Sequence, residues 1–387
     1  QRIEASERYL EAYNEPYYVY DDKALRKSNL RKEVVQRICL PEYQQFLRDV
    51  IPEIEMLRAL ENHTLRTNNP EQANLIKEHK YEQAKQFIIP IPVGAIMIQK
   101  RKKKSRSEYP SAMNALFRQP LFQQMQGHNH VMISQAIPPF SVVRPHVHAM
   151  TIEGLAQFYP KLQNVTVAQE MDRKGCAQLL HQRNISSTGT FISSCNDVQH
   201  RWQYATTRRT FSMNFVPQSS MPYREASYEN WQAKELFVFY QTTTKPSFFD
   251  STKYRRAPLH PQVVRQLPKS SMGYGVSKKQ WLKDMTSAKF CLAIRGDNPL
   301  SHAFLNAVKA CCIPVIISDV IPLFAPPFKS SINIYDYSIF IKEKDFLHNP
   351  LQELQKLQRM SGLELRTKIR AMALAQRVIA PDHPRSL

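Results

Sequence analysis

The sequence predicts an α/β protein with parallel sheets in two domains, and two observations support this prediction. In one stretch, residues 287–319, a short apolar run, a polar turn, a segment with helical spacing and a second apolar run follow one another. That order is typical of the βαβ unit of a parallel sheet. The chain has 387 residues, whereas single hydrophobic cores stop growing at about 250 to 300 residues. Two domains are therefore expected.

The first apolar run of this stretch, residues 289–294 (KFCLAI), stops at a polar turn, as a buried parallel strand does. A helix is predicted from Ser301, whose hydroxyl can cap the first turn. Ile313–Ile317 then predicts the second strand. The apolar positions that define the helical spacing are Phe304, Leu305, Val308 and Cys312.

The loop between this first strand and the helix is a candidate phosphate site. In a βαβ unit the loop and the helix N-terminus face one crevice, where free N–H groups and the helix dipole favour an anion. Arg295 lies on the loop and can donate paired hydrogen bonds to a diphosphate. The chain has no G-x-G-x-x-G and no G-x-x-x-x-G-K-[ST] motif. The spacing alone therefore does not distinguish a phosphate-binding loop from a purely structural one.

Further elements follow from apolar runs and caps along the chain. Strands are predicted over residues 16–20, 86–93, 191–198, 210–216 and 235–240. Helices are predicted as three short segments within 30–62, a capped helix over 277–285, and a broken series over 350–378. The change of domain is expected near residues 222–233.

The chain is strongly basic, with 53 Lys and Arg against 33 Asp and Glu and a net charge of +20. Such an excess attracts acidic glycans, anionic membranes or nucleic acid. Nucleic acid is disfavoured, because the chain lacks an RNP-like strand, zinc-finger spacing and a basic helix with heptads. The run Lys100 to Lys104 is interpreted as a solvated loop.

The six cysteines are too scattered to define a disulfide framework or to fix the compartment. Cys291 and Cys312 are interpreted as small core residues. No run approaches the ~18 apolar residues of a membrane span. The first residues are polar and charged, unlike a signal peptide. Both observations are compatible with a membrane anchor outside this sequence. N-glycosylation sequons occur at Asn62, Asn164 and Asn184.

One histidine pair raises the question of a metal. His146 and His148 form an H-x-H pair, which on a strand places both rings on one face. No acidic or cysteine ligand is close in sequence. We therefore predict no metal site and no cofactor.

The stretch 289–319, KFCLAIRGDNPLSHAFLNAVKACCIPVIISD, resembles the signature of the exostosin-like glycosyltransferases, S-K-F-C-L-x-P-R-G-D-x-x-S-x-R-L-F-[DE]-A-x-x-x-G-C-I-P-V-I-x-S-D. Four segments of the N-terminal half are similar to further family motifs in the same order. They are residues 16–20 (PYYVY), 65–75 (LRTNNPEQANL), 86–93 (QFIIPIPV) and 120–134 (PLFQQMQGHNHVMIS).

The resemblance implies two Rossmann-like domains that face a cleft, the GT-B type, with the nucleotide in the C-terminal domain. It places these domains at about 1–228 and 229–345, followed by helices over 346–387, the last crossing back to the first domain. It implies inverting transfer of a sugar from a nucleotide donor, often UDP-linked, to a glycan hydroxyl. It also implies a place in the secretory pathway, in the Golgi lumen, although another compartment stays open.

The resemblance also implies site residues. His130 is the predicted base, because an imidazole that titrates near neutral pH can accept the proton of an attacking hydroxyl. The alternative is a structural histidine that binds a loop carbonyl. The residues implied to bind the nucleotide sugar are Arg256, Arg295, Gly296, Asp297, Ser301, Asn306 and Glu343.

Departures from the family pattern define the alternative hypothesis. The family's glycine directly after the strand that ends at Tyr240 is missing, and Gln241 follows instead. The other substitutions are Ala303 for arginine, Asn306 for an acid, Cys311 for glycine, and His128 and Asn129 for Arg-Asp. Losing several charge-assisted hydrogen bonds weakens a site. The alternative is therefore a catalytically degenerate member that serves as a structural or glycan-binding subunit of a larger protein assembly.

Overall fold

A computed structural model of the chain describes residues 2–12, 17–19, 66–67, 86–89, 108–128, 130–134, 161, 164–169, 210–212, 220–240, 267, 269–272, 276–294, 302–319, 321, 332–380 and 382–384. These residues form two parallel sheets with helices, so the predicted α/β class is confirmed. The chain divides into two compact units. An N-terminal unit contains Asn14–His181 and Ile192–Met213, and a C-terminal unit contains Gln1–Tyr13, Gln182–Phe191 and Asn214–Leu387.

The N-terminal unit contains a sheet of six parallel strands in the order β2-β1-β3-β4-β5-β6. Its strands are β1 (Tyr17–Val19), β2 (Arg66–Thr67), β3 (Gln86–Ile89), β4 (His130–Ser134), β5 (Thr166–Gln169) and β6 (Thr210–Ser212). The described helices of this unit are α2 (Glu108–Phe117) and α3 (Pro120–Met125). Ile89, Leu116, Phe122 and Val165 are buried and form part of its core.

The C-terminal unit contains a sheet of five parallel strands in the order β11-β10-β9-β7-β8. Its strands are β7 (Leu236–Tyr240), β8 (Ser271–Met272), β9 (Ala288–Ile294), β10 (Ile313–Ile317) and β11 (Ile339–Ile341). Its described helices are α1 (Arg2–Ala12), α4 (Tyr228–Gln232), α5 (Lys278–Ser287), α6 (His302–Lys309), α7 (Ile334–Tyr337), α8 (Glu343–His348), α9 (Pro350–Gln355) and α10 (Gly362–Ile379), with a 3-10 turn at Lys356–Arg359.

The predicted βαβ unit is confirmed as β9, α6 and β10. All five residues of β10 are buried, which explains the continuous apolar run of a strand covered on both faces. Helix α6 packs on β9, β10 and α10. The predicted cap of α5 is also confirmed, because the Ser277 hydroxyl accepts a hydrogen bond from the Gln280 N–H.

Cys291 in β9 and Cys312, just before β10, form a disulfide. Both residues are buried, so the interpretation as small core residues is confirmed, and their pairing is a feature that the sequence left open. The partners are 21 residues apart and come together only when β9 and β10 pair. Connectivity of this kind cannot be read from cysteine spacing.

Within the described ranges, no helix combines the length and the apolar character that crossing a bilayer requires.

Candidate functional site

All strands of the C-terminal sheet are parallel, so their carboxyl ends meet at one edge, called here the carboxyl edge. Ligands of open α/β sheets bind outside this edge. Two acidic residues of the described chain lie there. Asp319 follows β10 and Glu343 follows β11, and the two strands end in register at Ile317 and Ile341.

Asp319 and Glu343 hold each other by reciprocal hydrogen bonds. The Asp319 N–H donates to Oε1 of Glu343 at 3.0 Å, and the Glu343 N–H donates to Oδ1 of Asp319 at 3.4 Å. Asp319 is exposed, whereas Glu343 is only 3% exposed. The bonds therefore fix a buried carboxylate at the edge of the sheet, and we call this pair the Asp319–Glu343 bracket.

Five of the residues predicted to bind the nucleotide sugar lie outside the described residues. They are Arg256, Arg295, Gly296, Asp297 and Ser301. Strand β9 ends at Ile294 beside β10, so the chain enters the Arg295 segment at the carboxyl edge. The roles of these five residues stay predictions.

Asn306, the sixth of these residues, lies within α6 and is 1% exposed. Its neighbours Leu305 and Ala307 are equally buried, because α6 is covered by the sheet and by α10. The binding role of Asn306 also stays a prediction.

His130, the predicted base, is the first residue of β4 in the N-terminal unit and is fully buried. Its Nδ1 lies 2.8 Å from the main-chain oxygen of His128, and its ring packs edge-on against Phe122 at 4.9 Å. Burial lowers the pKa of His130 to about 4, although the His128 carbonyl acts in the opposite direction. The imidazole is therefore neutral at physiological pH, with Nδ1–H as the donor to His128.

The position of His130 in the topology bears on its predicted role. The loop 126–129 precedes β4, and the strands of the N-terminal sheet are parallel, so this loop lies at the amino edge. Ligand crevices of α/β sheets form at the opposite edge. The burial of His130 and its position at the amino edge weigh against a role as general base and agree with the structural alternative. The role as base stays a prediction.

His146 and His148 lie outside the described residues. Among the residues that the structure does describe, no group of three or more His, Cys, Asp and Glu side chains could hold a metal ion.

A sequence profile of the Exostosin GT47 domain matches residues 18–357. This chain belongs to the exostosin GT47 family. It therefore carries a glycosyltransferase-family domain across most of its length, and the resemblance found in the sequence is confirmed.

One relative of this GT47 chain is the "Probable arabinosyltransferase ARAD1" of Arabidopsis thaliana, which is 28% identical over 148 residues. The match covers 35% of this chain and 32% of the relative, so it spans about a third of the relative's length. A solved structure, "Crystal structure of GtfA/B complex", aligns over 70% of this chain and 57% of that chain, at 9% identity and a TM-score of 0.29. A score this low supports no inference about the fold.

One departure of this GT47 chain from its family pattern lies far from the carboxyl edge. Cys311, which replaces a glycine, follows α6 and precedes β10, so it is at the amino edge of the sheet. Its φ is +54°, and the N–H groups of Cys311 and Cys312 bond the carbonyls of Val308 and Ala307. This is the Schellman end of a helix, where glycine is favoured. The family glycine is thereby explained by backbone conformation rather than ligand contact.

Lys234 was not singled out by the sequence, yet it stabilises the same amino edge. Its Nζ donates to the carbonyls of Thr286 and Ala310, at 2.7 and 2.8 Å. Burial lowers the pKa of Lys234 to about 8. Burial also raises the pKa of the nearby Cys311 thiol, which disfavours a nucleophilic role for that cysteine. An isolated lysine before an apolar strand gave no signal that could have predicted this arrangement.

Proposed function

We propose that this chain is an inverting glycosyltransferase that moves a sugar from a UDP-linked donor to the hydroxyl of a glycan acceptor. The GT47 family match supports transfer of a sugar. The proposed location of the donor site rests on the Asp319–Glu343 bracket, a fixed carboxylate at the carboxyl edge of a parallel sheet. Carboxylates at this edge of nucleotide-binding folds accept hydrogen bonds from ribose hydroxyls.

In this proposal the donor lies along the carboxyl edge of the C-terminal sheet. Glu343 accepts hydrogen bonds from the ribose, and Asp319 keeps the Glu343 carboxylate in place. Arg295 and Arg256 bind the diphosphate with charge-assisted hydrogen bonds. Gly296, Asp297 and Ser301 also contact the nucleotide sugar in this proposal, and Asn306 replaces the acid of the family pattern.

The transfer step requires three events. The acceptor oxygen forms a bond to the anomeric carbon, the bond from that carbon to the diphosphate oxygen breaks, and the diphosphate leaves with the electron pair. A base takes the proton of the acceptor hydroxyl. Arginine groups stabilise the charge that develops on the leaving diphosphate. Because the acceptor attacks opposite the leaving group, the configuration at the anomeric carbon inverts.

We place the protein in the secretory pathway, in the Golgi lumen. The buried disulfide between Cys291 and Cys312 supports an oxidising compartment, since disulfides persist there and are rare in the cytosol.

The second candidate is a catalytically degenerate subunit that binds glycan or protein partners. It is favoured by Asn306, a neutral and buried side chain where the family pattern has an acid. The net charge of +20 would supply a docking surface for acidic glycans. Cys311 gives it no support, because the amino edge is remote from the proposed donor site.

UDP release separates the two candidates. We expect UDP release from at least one of UDP-glucose, UDP-galactose, UDP-glucuronate, UDP-xylose and UDP-arabinose with a mixture of glycan acceptors, and NMR of the product should show an inverted anomeric configuration. Binding of UDP without release from any donor would support the degenerate subunit. Retention of configuration would contradict the inverting mechanism.

A further inference from the structure

The sequon Asn164-Val165-Thr166 lies at the start of β5 in the N-terminal unit. Asn164 occupies the turn before the strand and is partly exposed, whereas Val165 is fully buried. The asparagine therefore lies at the surface, on a segment whose position is fixed by the next residue.

The Asn164 side chain is bonded to the main chain of Gln126. Its Nδ2 donates to the carbonyl of Gln126 at 3.0 Å, and this hydrogen bond is exposed. Gln126 ends α3 with a φ of +51°. A primary amide has two N–H donors, and an N-linked sugar replaces only one. The remaining N–H can therefore keep the bond to Gln126 after modification.

The described residues near Asn164 and its partner Gln126 include several exposed polar side chains. Gln126, to which Asn164 is bonded, is exposed. Lys161, three residues before Asn164 in the sequence, is also exposed, as are Gln124 and His128 on either side of Gln126. Among the described residues, a glycan attached at Asn164 would therefore extend over polar, exposed side chains.

The topology separates this surface from the expected ligand edge. The residues before β4 and β5 lie at the amino edge of the N-terminal sheet, because all its strands are parallel. Ligand crevices form at the carboxyl edge. A glycan at Asn164 would therefore leave the carboxyl edge of its own sheet open.

We propose that Asn164 carries an N-linked glycan; this inference rests on the proposed lumenal location. The sugar donor is an oligosaccharide joined through a diphosphate to a lipid. The Asn164 amide nitrogen forms a bond to the anomeric carbon and loses a proton, while the bond from that carbon to the diphosphate oxygen breaks. The diphosphate lipid leaves with the electron pair, and nothing is oxidised or reduced.

The test is expression of the full chain behind a cleavable secretory signal peptide in a eukaryotic cell. Trypsin releases residues 162–173, which contain Asn164 and neither Asn62 nor Asn184. We expect most of this peptide to appear only after peptide N-glycosidase digestion in ¹⁸O-water, with Asn164 converted to ¹⁸O-labelled aspartate. Recovery of the peptide mainly in its unmodified form from the secreted protein would overturn the proposal.

Two variants separate modification from folding. Thr166→Ser keeps the sequon and should keep the glycan, whereas Thr166→Val destroys the sequon and leaves the Asn164 amide intact, so the glycan should be lost. Glycan retained in Thr166→Val would contradict the assignment. UDP release is measured separately on the same preparations, so failure of the transferase proposal leaves the peptide result unaffected.

Discussion

The side-chain amide of Gln376 in α10 donates a hydrogen bond of 2.7 Å to the main-chain carbonyl of Val308 in α6. The same nitrogen donates to the Arg224 carbonyl at 2.8 Å, and Oε1 accepts from the Ala226 N–H at 3.0 Å and from the Tyr223 hydroxyl at 3.4 Å. Gln376 is fully buried. One amide therefore joins the last long helix to α6 and to the segment that leads into α4.

Gln376→Glu should destabilise the C-terminal unit strongly. The substitution replaces two N–H donors with a carboxylate oxygen that faces the carbonyls of Val308 and Arg224. Breaking a buried polar network in this way costs about 3 to 5 kcal/mol. Urea unfolding monitored by tryptophan fluorescence measures the change in the free energy of unfolding. The matched control is Gln358→Glu on the exposed 3-10 turn, which should change the free energy by less than about 0.5 kcal/mol. Equal effects of the two variants would contradict the role given to Gln376.

The α/β class, the βαβ unit and the α5 cap could be predicted from the sequence, because they depend on local features. A run of five apolar residues from Ile313 and a serine before Lys278 are readable from neighbouring positions. Gln376 gave no such signal, since its partners lie 68 to 153 residues away. Glu343 could be selected only by resemblance, and its bond to Asp319 depends on the pairing of β10 with β11.

A second prediction concerns the partly buried ion pair between Lys309 in α6 and Asp382. Lys309 Nζ lies 2.8 Å from Asp382 Oδ2, and the lysine side chain is 4% exposed against 49% for the aspartate. Asp382→Asn leaves a buried ammonium without its counter-charge, and because Asp382 is half exposed we expect a loss of about 1 to 3 kcal/mol.

The double variant Lys309→Met with Asp382→Asn checks the cause. Removing both charges should recover most of the lost stability, since an apolar side chain can replace a buried ammonium without penalty. Both variants are compared with the wild type by urea unfolding. A double variant no more stable than Asp382→Asn would show that the loss has another origin.

A third prediction concerns the left-handed residue at the end of α6. At a φ of +54°, glycine avoids a steric cost of about 1 to 2 kcal/mol that side chains with a Cβ incur. Cys311→Gly should therefore be more stable than Cys311→Ala by about 1 kcal/mol, and Cys311→Val should be the least stable of the three. Thermal unfolding under oxidising conditions gives the order. An alanine variant as stable as the glycine variant would contradict the backbone explanation.

A fourth prediction concerns the pH dependence of the N-terminal unit. The pKa of His130 is lowered to about 4 in the folded protein, against about 6.5 when unfolded. The unfolded state therefore binds more protons between these values, so the stability contributed by neutral His130 is complete above about pH 6.5 and is lost as pH falls towards 4. His130→Asn, which keeps a donor for the His128 carbonyl, should show a shallower loss between pH 7 and 5. If the free energy of unfolding of His130→Asn falls as steeply with pH as that of the wild type, His130 is not the group responsible.

The same variant tests the predicted base. A general base contributes about 10²- to 10⁴-fold to the rate. If His130 is structural, His130→Asn should keep UDP release at pH 7 within a small factor of the wild type. A loss in that larger range, with unchanged stability at pH 7, would restore His130 as the base.

The measurement that tests the central claim most directly is a thermal titration of the purified protein with UDP. A ligand at 100 times its Kd stabilises the folded state by about 2.7 kcal/mol. We expect millimolar UDP to raise the Tm of the wild type and of Glu353→Gln, a control on α9 whose partner Lys356 is exposed. Glu343→Gln should show a smaller rise at every UDP concentration, because a neutral amide replaces the carboxylate of the Asp319–Glu343 bracket. No shift of the wild-type Tm, or equal shifts in Glu343→Gln and Glu353→Gln, would contradict a nucleotide site at the carboxyl edge.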